Sequence, residues 1–524
     1  MENPQLLQDE TLSKKLITKG SRTYFFTMIV APIGYLLRMF LSDAVSVSEV
    51  GIFYSVLGLM GMLASYNDLG LTEAMMYFIP KFRIKNEKAK ARLVILASFV
   101  MQLLTGILIF CLVYCGADRL ALHHFHDALA ADILKILAFY FFGINFVTLC
   151  TTMFVSFQDT FCQGLTQSIQ QIVNLIFTCI FRATASLTVI SYARVFIIGI
   201  GTTILVGGTF VRKKYRHVFR TNPDETFLPA SPATKKAVLK QHIKYALRVF
   251  LVANVSSLLG NVDQQVIINV LGPQASGFFS NFQALLMAFT LIVTPMFGLL
   301  FPLTTELSTK QDNKKFWLLQ HVMYTYFGVF AMIIAVFFTV FGQEISVLLF
   351  GEDFRFSGYM LQWASPALIF SCWASISLSI LAGLGKIKQR LGVVILALVV
   401  NIFLNWFLLI FLWKGLIFST LILSVSWAVM ALGGMYVIYK YHPFTLDRKL
   451  LGKNLFLMVV LGILMMVGKT YWPGVLSTAF LSTIARGGLF FWLGIRFLCY
   501  AGVIALFNAS KIQLFWEEVK KLKN

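Results

Sequence analysis

Apolar residues along this chain gather into long runs, interrupted at intervals by short clusters of Lys, Arg, Gly and Pro. A helix crosses the hydrocarbon of a bilayer with about 20 mainly apolar residues. On that ruler the pattern predicts fourteen spans, at 22–42, 50–79, 92–115, 131–156, 165–182, 194–211, 245–271, 276–305, 317–341, 358–382, 391–413, 416–439, 452–471 and 480–508. The longest polar stretch, 212–244, carries Pro223, Pro229 and Pro232 without an apolar period and reads as a linker. The expected organisation is all-α and polytopic. A six-helix N-terminal lobe fills 1–211, the cytoplasmic linker 212–244, a six-helix C-terminal lobe 245–439, and two further helices 440–510. A tail over 511–524 sets Ile512, Leu514, Phe515, Trp516 and Val519 among lysines, a pattern suited to the inner leaflet.

Composition points to the same solvent. The 524 residues are 58% hydrophobic and 13% charged, with a mean hydropathy of +0.78, whereas about 25% charged is usual for soluble domains. The apolar stretch after the polar segment Met1–Arg22 lacks a small-residue cleavage pattern, so it reads as a retained first span. The net charge of +21 resolves into topology: 34 basic residues fall in loops on the side of the N-terminus, 7 on the opposite side and 3 within spans. That bias puts both termini in the cytoplasm and removes the reason to expect nucleic acid as a partner. The cysteines, including Cys111 and Cys115 one turn apart, lie mostly in apolar runs and read as packing residues, with no disulfide framework.

Two stretches repeat. Ser48-Glu49-Val50-Gly51-Ile52-Phe53-Tyr54 aligns with Gln274-Ala275-Ser276-Gly277-Phe278-Phe279-Ser280 at an offset of 226 residues. Each follows a span and opens the next helix through a small residue and a glycine. Both following helices are expected to break late, at Asn67-Asp68-Leu69-Gly70 and at Pro295 and Pro302. Halves with an even number of spans run in the same sense across the membrane, which puts substrate handling between them.

Charged and amide side chains at membrane depth are costly unless paired or hydrated, so they are the candidate site residues. Gln167, Gln171, Asn174, Thr178 and Arg182 share one face of the fifth span, with Gln170 beside them; Asn254, Ser257, Asn261 and Gln265 share one face of the seventh, which also carries Asp263. Arg38 lies in the first span, Asp68 and Glu73 in the second, Lys135 and Asn145 in the fourth, Arg248 near the start of the seventh and Asn401 and Asn405 in the eleventh. Interhelical hydrogen bonding is the competing reading for the amides. Arg496 fits a side chain snorkelling to the interface. Together the stripes suggest a hydrated, cationic cavity suited to an anionic head group. No phosphate-binding G-x-x-x-x-G-K-[ST] is present. His123, His124 and His126, in an expected external loop, read as surface residues rather than metal ligands.

At this point the residues resemble a known family. Leu63-Ala64-Ser65-Tyr66-Asn67-Asp68-Leu69-Gly70-Leu71 looks like the end of the second helix in polysaccharide-type flippases of the multidrug/oligosaccharidyl-lipid/polysaccharide (MOP) exporter superfamily. Asp263, Leu271-Gly272, Gly277-Phe278-Phe279 and Pro302-Leu303 are similar to its seventh and eighth helices. Leu349-Phe350-Gly351-Glu352-Asp353-Phe354 and Leu381-Ala382-Gly383-Leu384-Gly385-Lys386 resemble its tenth-helix region. The resemblance implies fourteen helices as two six-helix lobes plus two, around a cavity that alternates between the two sides. It implies a non-enzymatic role: translocating a polyprenyl-diphosphate-linked oligosaccharide across a bacterial cytoplasmic membrane, without a bound cofactor and driven by a proton or sodium gradient. Membrane lipid and polysaccharide assembly enzymes are the corresponding partners.

Family members commonly carry Arg at the end of the first helix, where this chain has Ser42-Asp43; Arg38, one turn earlier, is the candidate substitute. On this reading Arg38, Arg182, Arg248 and Lys135 face the head group, and Gln167, Gln171, Asn174, Asn254, Asn261 and Gln265 the sugars. Asp68, Gly70, Asp263, Gly277 and Pro302 serve coupling or hinge motion. The alternatives are a multidrug exporter of the same superfamily, which would prefer an acidic cavity, and a membrane glycan polymerase, which would need a sizeable external loop.

Overall fold

The computed structural model describes residues 26, 30–85, 87–157, 159–215, 232–412, 415–471, 494, 497, 498, 500–502 and 504. The N-terminal segment 1–25, Arg496, the tail 511–524 and most of the predicted span 480–508 lie outside them. Among the described residues the regular structure is entirely helical. In chain order the helices are α1 (30–44), α2 (Val47–Asp68), α3 (Leu71–Ile84), α4 (Lys88–Leu120), α5 (Leu129–Ser156), α6 (Thr160–Ala183), α7 (Val189–Lys214), α8 (Pro232–Leu271), α9 (Pro273–Thr309), α10 (Asn313–Phe350), α11 (Arg355–Ala364), α12 (Leu368–Gly383), α13 (Ile387–Leu404), α14 (Ile417–Tyr441) and α15 (Arg448–Tyr471). Eight described stretches, including α2, α5, α7, α10 and α14, are long and apolar enough to cross a membrane.

Local chemistry starts these helices where it is needed. Ser46 and Glu49 form a reciprocal capping box at α2, Thr188 and Ser191 one at α7, and the Asp159 and Asp312 carboxylates cap α6 and α10. Each satisfies backbone N–H groups that a helix start leaves without partners.

Several boundaries differ from the sequence expectation. The predicted span 50–79 is two helices, because Leu69 and Gly70 both take left-handed backbone angles (φ 49° and 74°) between α2 and α3. The matching break expected at Pro295 and Pro302 is absent: α9 runs as one helix from Pro273 to Thr309. Proline is tolerated inside such a helix where neighbours re-satisfy the freed backbone groups. The linker assigned to 212–244 is helical from Pro232 onward, continuous with the seventh span. Pro232 costs nothing at a first helical position, and Val238 and His242 supply a buried face. The histidine segment is not a loop either: a π-helical turn, Ala121–Phe125, prolongs α4. The predicted span 358–382 is broken by a 3-10 turn at Ser365–Ala367, which contains Pro366.

The chain divides into two compact units, Met1–Gly277 and Phe278–Asn524, so α8 belongs with α1–α7. The first has a core that includes Leu71, Phe78, Ile79, Val94, Met153, Phe154 and Ala246. A core cluster of the second gathers Phe337, Phe341, Leu348, Met458, Tyr500 and Ile504.

Candidate functional site

The polar stripe of the seventh span meets a stripe of small residues on α2. Gly51, Ser55, Gly58 and Ser65 recur at steps of four, three and seven, on one face of that helix. Gln265 donates to the Ser55 carbonyl at 2.9 Å, and Ser65 and Ser257 share a 2.9 Å hydrogen bond. A Cβ on Gly58 would stand 3.4 Å from the Asn261 amide oxygen. Asn254 and Asn261 return their own amide hydrogens to α8, to Phe250 O at 2.8 Å and Ser257 O at 3.0 Å. Interhelical packing is therefore what this stripe does here. Its strongest members were not among the sequence candidates. Gln264 donates to Ser55 Oγ (2.8 Å) and Ser276 Oγ (2.6 Å), and the two hydroxyls lie 2.5 Å apart. Serine spacing on α2 was the available signal.

At the α2 break, Gly70 is pressed against α8, where a side chain would collide with Ala246 O. Asp68 accepts from Thr72 N (3.2 Å), Thr72 Oγ1 (2.9 Å) and Gln102 Nε2 (2.7 Å), and so caps the first turn of α3. At the other end of α8, His124 Nε2 lies 3.0 Å from Gln265 Oε1, and Asn269 bonds to His124 Nδ1 at 3.3 Å. His126 Nε2 bonds to Asn269 O at 2.9 Å. These histidines join α4 to α8.

The cations separate. Arg38, half-buried on α1, stacks its guanidinium 3.7 Å above the Tyr54 ring. Tyr54 packs on Phe53, which packs on Tyr192 at 4.9 Å. Arg182 is ion-paired: its guanidinium lies 3.4 Å from Asp43 and 4.8 Å over the Phe40 ring. The departure at Ser42-Asp43 thus supplies the partner of Arg182. Lys135 is held at 2.8 Å by the exposed Asp118, and Arg248 is exposed.

On α6, Gln167 is exposed and Gln171 half-buried, so the expected stripe does not act as one surface. Asn174 is buried against Gly199 of α7. With its amide nitrogen facing them, it donates to Val195 O (3.2 Å) and Gln170 O (3.3 Å). Asp263 is buried on α8, and Gly277 abuts Val47. Pro302 falls within α9, its side chain outside the described residues. In the second unit Asn401 donates to Ser426 Oγ at 3.2 Å, a packing contact between α13 and α14, and accepts from Asn405 Nδ2 at 3.1 Å.

A profile of the polysaccharide biosynthesis protein family matches residues 18–308. An uncharacterized membrane protein of Methanocaldococcus jannaschii is 21% identical over 518 residues, 95% of this chain and 98% of its own. Among solved structures, the lipid II flippase MurJ in an inward closed conformation matches with a TM-score of 0.67 at 16% identity, covering 94% of this chain and 99% of that one. An inward-facing multidrug resistance MATE family transporter of the MOP superfamily gives 0.64 at 15% identity, covering 80% and 98%. A MOP superfamily transporter from Pyrococcus furiosus gives 0.59 at 16%, covering 81% and 95%. At these identities the likeness is one of fold, and that fold is shared by flippases and drug exporters.

Proposed function

This chain belongs to the polysaccharide biosynthesis protein family, and on that premise we propose that it flips a polyprenyl-diphosphate-linked oligosaccharide from the inner to the outer leaflet of the cytoplasmic membrane by alternating access. The observation that carries the substrate class is Arg38. A guanidinium stacked on Tyr54 sets a fixed positive charge at membrane depth, where charged side chains mark substrate pathways more often than packing, and its sign suits an anionic diphosphate. Arg38 is the head-group contact in this reading; Arg182, already paired with Asp43, orients α1 against α6. Lys135 is likewise paired, with Asp118, which leaves the exposed Arg248 to draw the anion towards the protein. A proton or cation gradient drives the cycle, since one charge crossing about 100 mV carries about 2.3 kcal/mol. Enzymes that assemble the lipid-linked glycan on one leaflet and polymerise it on the other are the fitting partners.

Deletion of the gene followed by analysis of lipid-linked intermediates tests this. Complete repeat units should accumulate on the cytoplasmic leaflet, and an Arg38→Ala variant should restore export poorly. Unchanged intermediates, with protein-dependent efflux of cationic dyes, would overturn the reading in favour of a drug exporter.

A further inference from the structure

Helices α4 and α5, both long and apolar enough to cross a membrane, enclose between them a cavity of about 250 Å³. Phe99, Leu103, Phe142, Phe146 and Leu149 supply its apolar lining, and Phe99 meets Phe146 edge to face at 6.0 Å. Leu103 and Phe142 are exposed, beside the exposed apolar stripe Val100, Leu104, Ile107 and Leu108 of α4. The mouth of the cavity therefore faces the bilayer.

Lipid chains fill ordinary apolar gaps between helices. This cavity differs in carrying two amides, Gln102 of α4 and Asn145 of α5. Gln102 is 2% exposed, and the 2.7 Å bond from its Nε2 to Asp68 fixes which end of the amide is the acceptor. Among the described residues no donor reaches its Oε1. Asn145 returns an amide hydrogen to Phe141 O at 2.8 Å. Asn67 of α2, fully buried and bonded to Gln102 O, has an Oδ1 equally without a donor. A Cβ on Gly106 would stand 3.6 Å from the Asn67 amide and 3.9 Å from the Phe142 ring, so this second acceptor lies beside the cavity wall. Buried acceptors of this kind are rare and call for a donor, and hydrocarbon has none to give.

We propose that the α4–α5 cavity binds a small amphiphile dissolved in the bilayer, an apolar molecule with one hydroxyl or N–H donor. Its apolar part packs among Phe99, Phe142 and Phe146, and its donor serves Gln102 Oε1. An apolar cavity of about 150 Å³ is enough for benzene, so this one has room for a short chain and its head. Occupancy bears on the α2–α3 break, because the amide that receives the ligand also holds Asp68, the cap of α3. The site stands independently of the flippase reading.

Photolabelling of the full-length protein in phosphatidylcholine nanodiscs with a diazirine-bearing octanol, followed by peptide mass spectrometry, tests this. Adducts should concentrate on 99–103 and 142–149, above the level along the largely exposed stretch 107–112 of the same α4. Octanol should compete about fivefold more strongly than heptyl methyl ether, equal in length but without a donor, the ratio that one hydrogen bond of ordinary net strength gives. Gln102→Leu should abolish that preference; the comparison of competitors on the unaltered protein needs no variant and holds if this one fails to fold. Equal competition by alcohol and ether, a preference retained in Gln102→Leu, or adducts no denser than along 107–112 would each overturn the site and leave the cavity to lipid chains.

Discussion

Gly51 and Gly277, equivalent positions of the internal repeat, pack backbone to backbone. A Cβ on Gly51 would overlap Pro273 O, and a Cβ on Gly277 would overlap Val47 O. Pro273 and Gly277 are Val47 and Gly51 displaced by the same 226 residues, so each helix start presses its carbonyl on the other's glycine. Reciprocity of this kind marks a contact between like surfaces about a local two-fold. Ser55, Ser276 and Gln264 close the same junction with hydrogen bonds.

Gly51→Ala and Gly277→Ala are each expected to destabilise the protein by about 1–3 kcal/mol, because a methyl must displace main chain rather than a flexible side chain. The double variant should cost less than the two together, since one displacement of the helix ends accommodates both methyls. Thermal unfolding of the four proteins in one detergent measures this, and strict additivity would count against a shared contact.

Asp43 and Arg182 should behave as a surface pair with orientation as its main product. Arg182→Ala is expected to lower stability by less than about 1 kcal/mol, as exposed pairs do. The exchanged variant Asp43→Arg/Arg182→Asp should recover transport lost by either single charge reversal. Failure of the exchange in a stable protein would return Arg182 to the substrate.

The sequence made the solvent, the helical class and the repeat legible, because long apolar runs and glycines with main-chain neighbours leave marks in one dimension. Asp68 and Gly70 could be singled out for the same reason: a carboxylate and a glycine at the end of an apolar run have few other uses. The amides were harder. Gln265 and Asn174 have the spacing of a cavity lining, yet they face Ser55 and Gly199, and periodicity cannot say which neighbour a face will meet. Arg182 looked available because Asp43, 139 residues away, is invisible to a local window.

Gln264 and its serines offer a test of asymmetry in buried hydrogen bonding. Gln264→Leu removes an amide whose own Oε1 has no partner, and it leaves Ser55 and Ser276 bonded to each other. A loss near 1 kcal/mol is expected. The variant Ser55→Ala/Ser276→Ala leaves the amide buried with only Ser276 O to accept from it, for about 2–3 kcal/mol. Chemical denaturation that ranked the two the other way would show that the serines, not the glutamine, are the dispensable partners.

His242 gives stability a dependence on pH. α8 has 40 residues, about 60 Å at 1.5 Å per residue, twice the hydrocarbon thickness. Its first turns, with Lys235, Lys236, Lys240 and Lys244, therefore stand outside the span, and His242 lies among them. The ring is buried against Phe78, with Nε2 on Ser98 Oγ at 2.9 Å. Burial lowers its pKa from the usual 6.5 to about 4. Because the folded value is the depressed one, the fold favours neutral imidazole. Its contribution is complete above pH 6.5 and is lost as pH falls from there towards 4, by up to about 3 kcal/mol. His242→Gln, which stays neutral at either end of that window, should flatten this part of the stability profile. An equally steep acid loss in that variant would place the titrating group elsewhere, with Asp159 the next to examine. There burial pushes the carboxyl up, but Lys214 and the Cys162 N–H hold it lower than usual. That pair would likewise weaken as pH falls, in the range below ordinary carboxylate titration, so the pH of the midpoint separates the two.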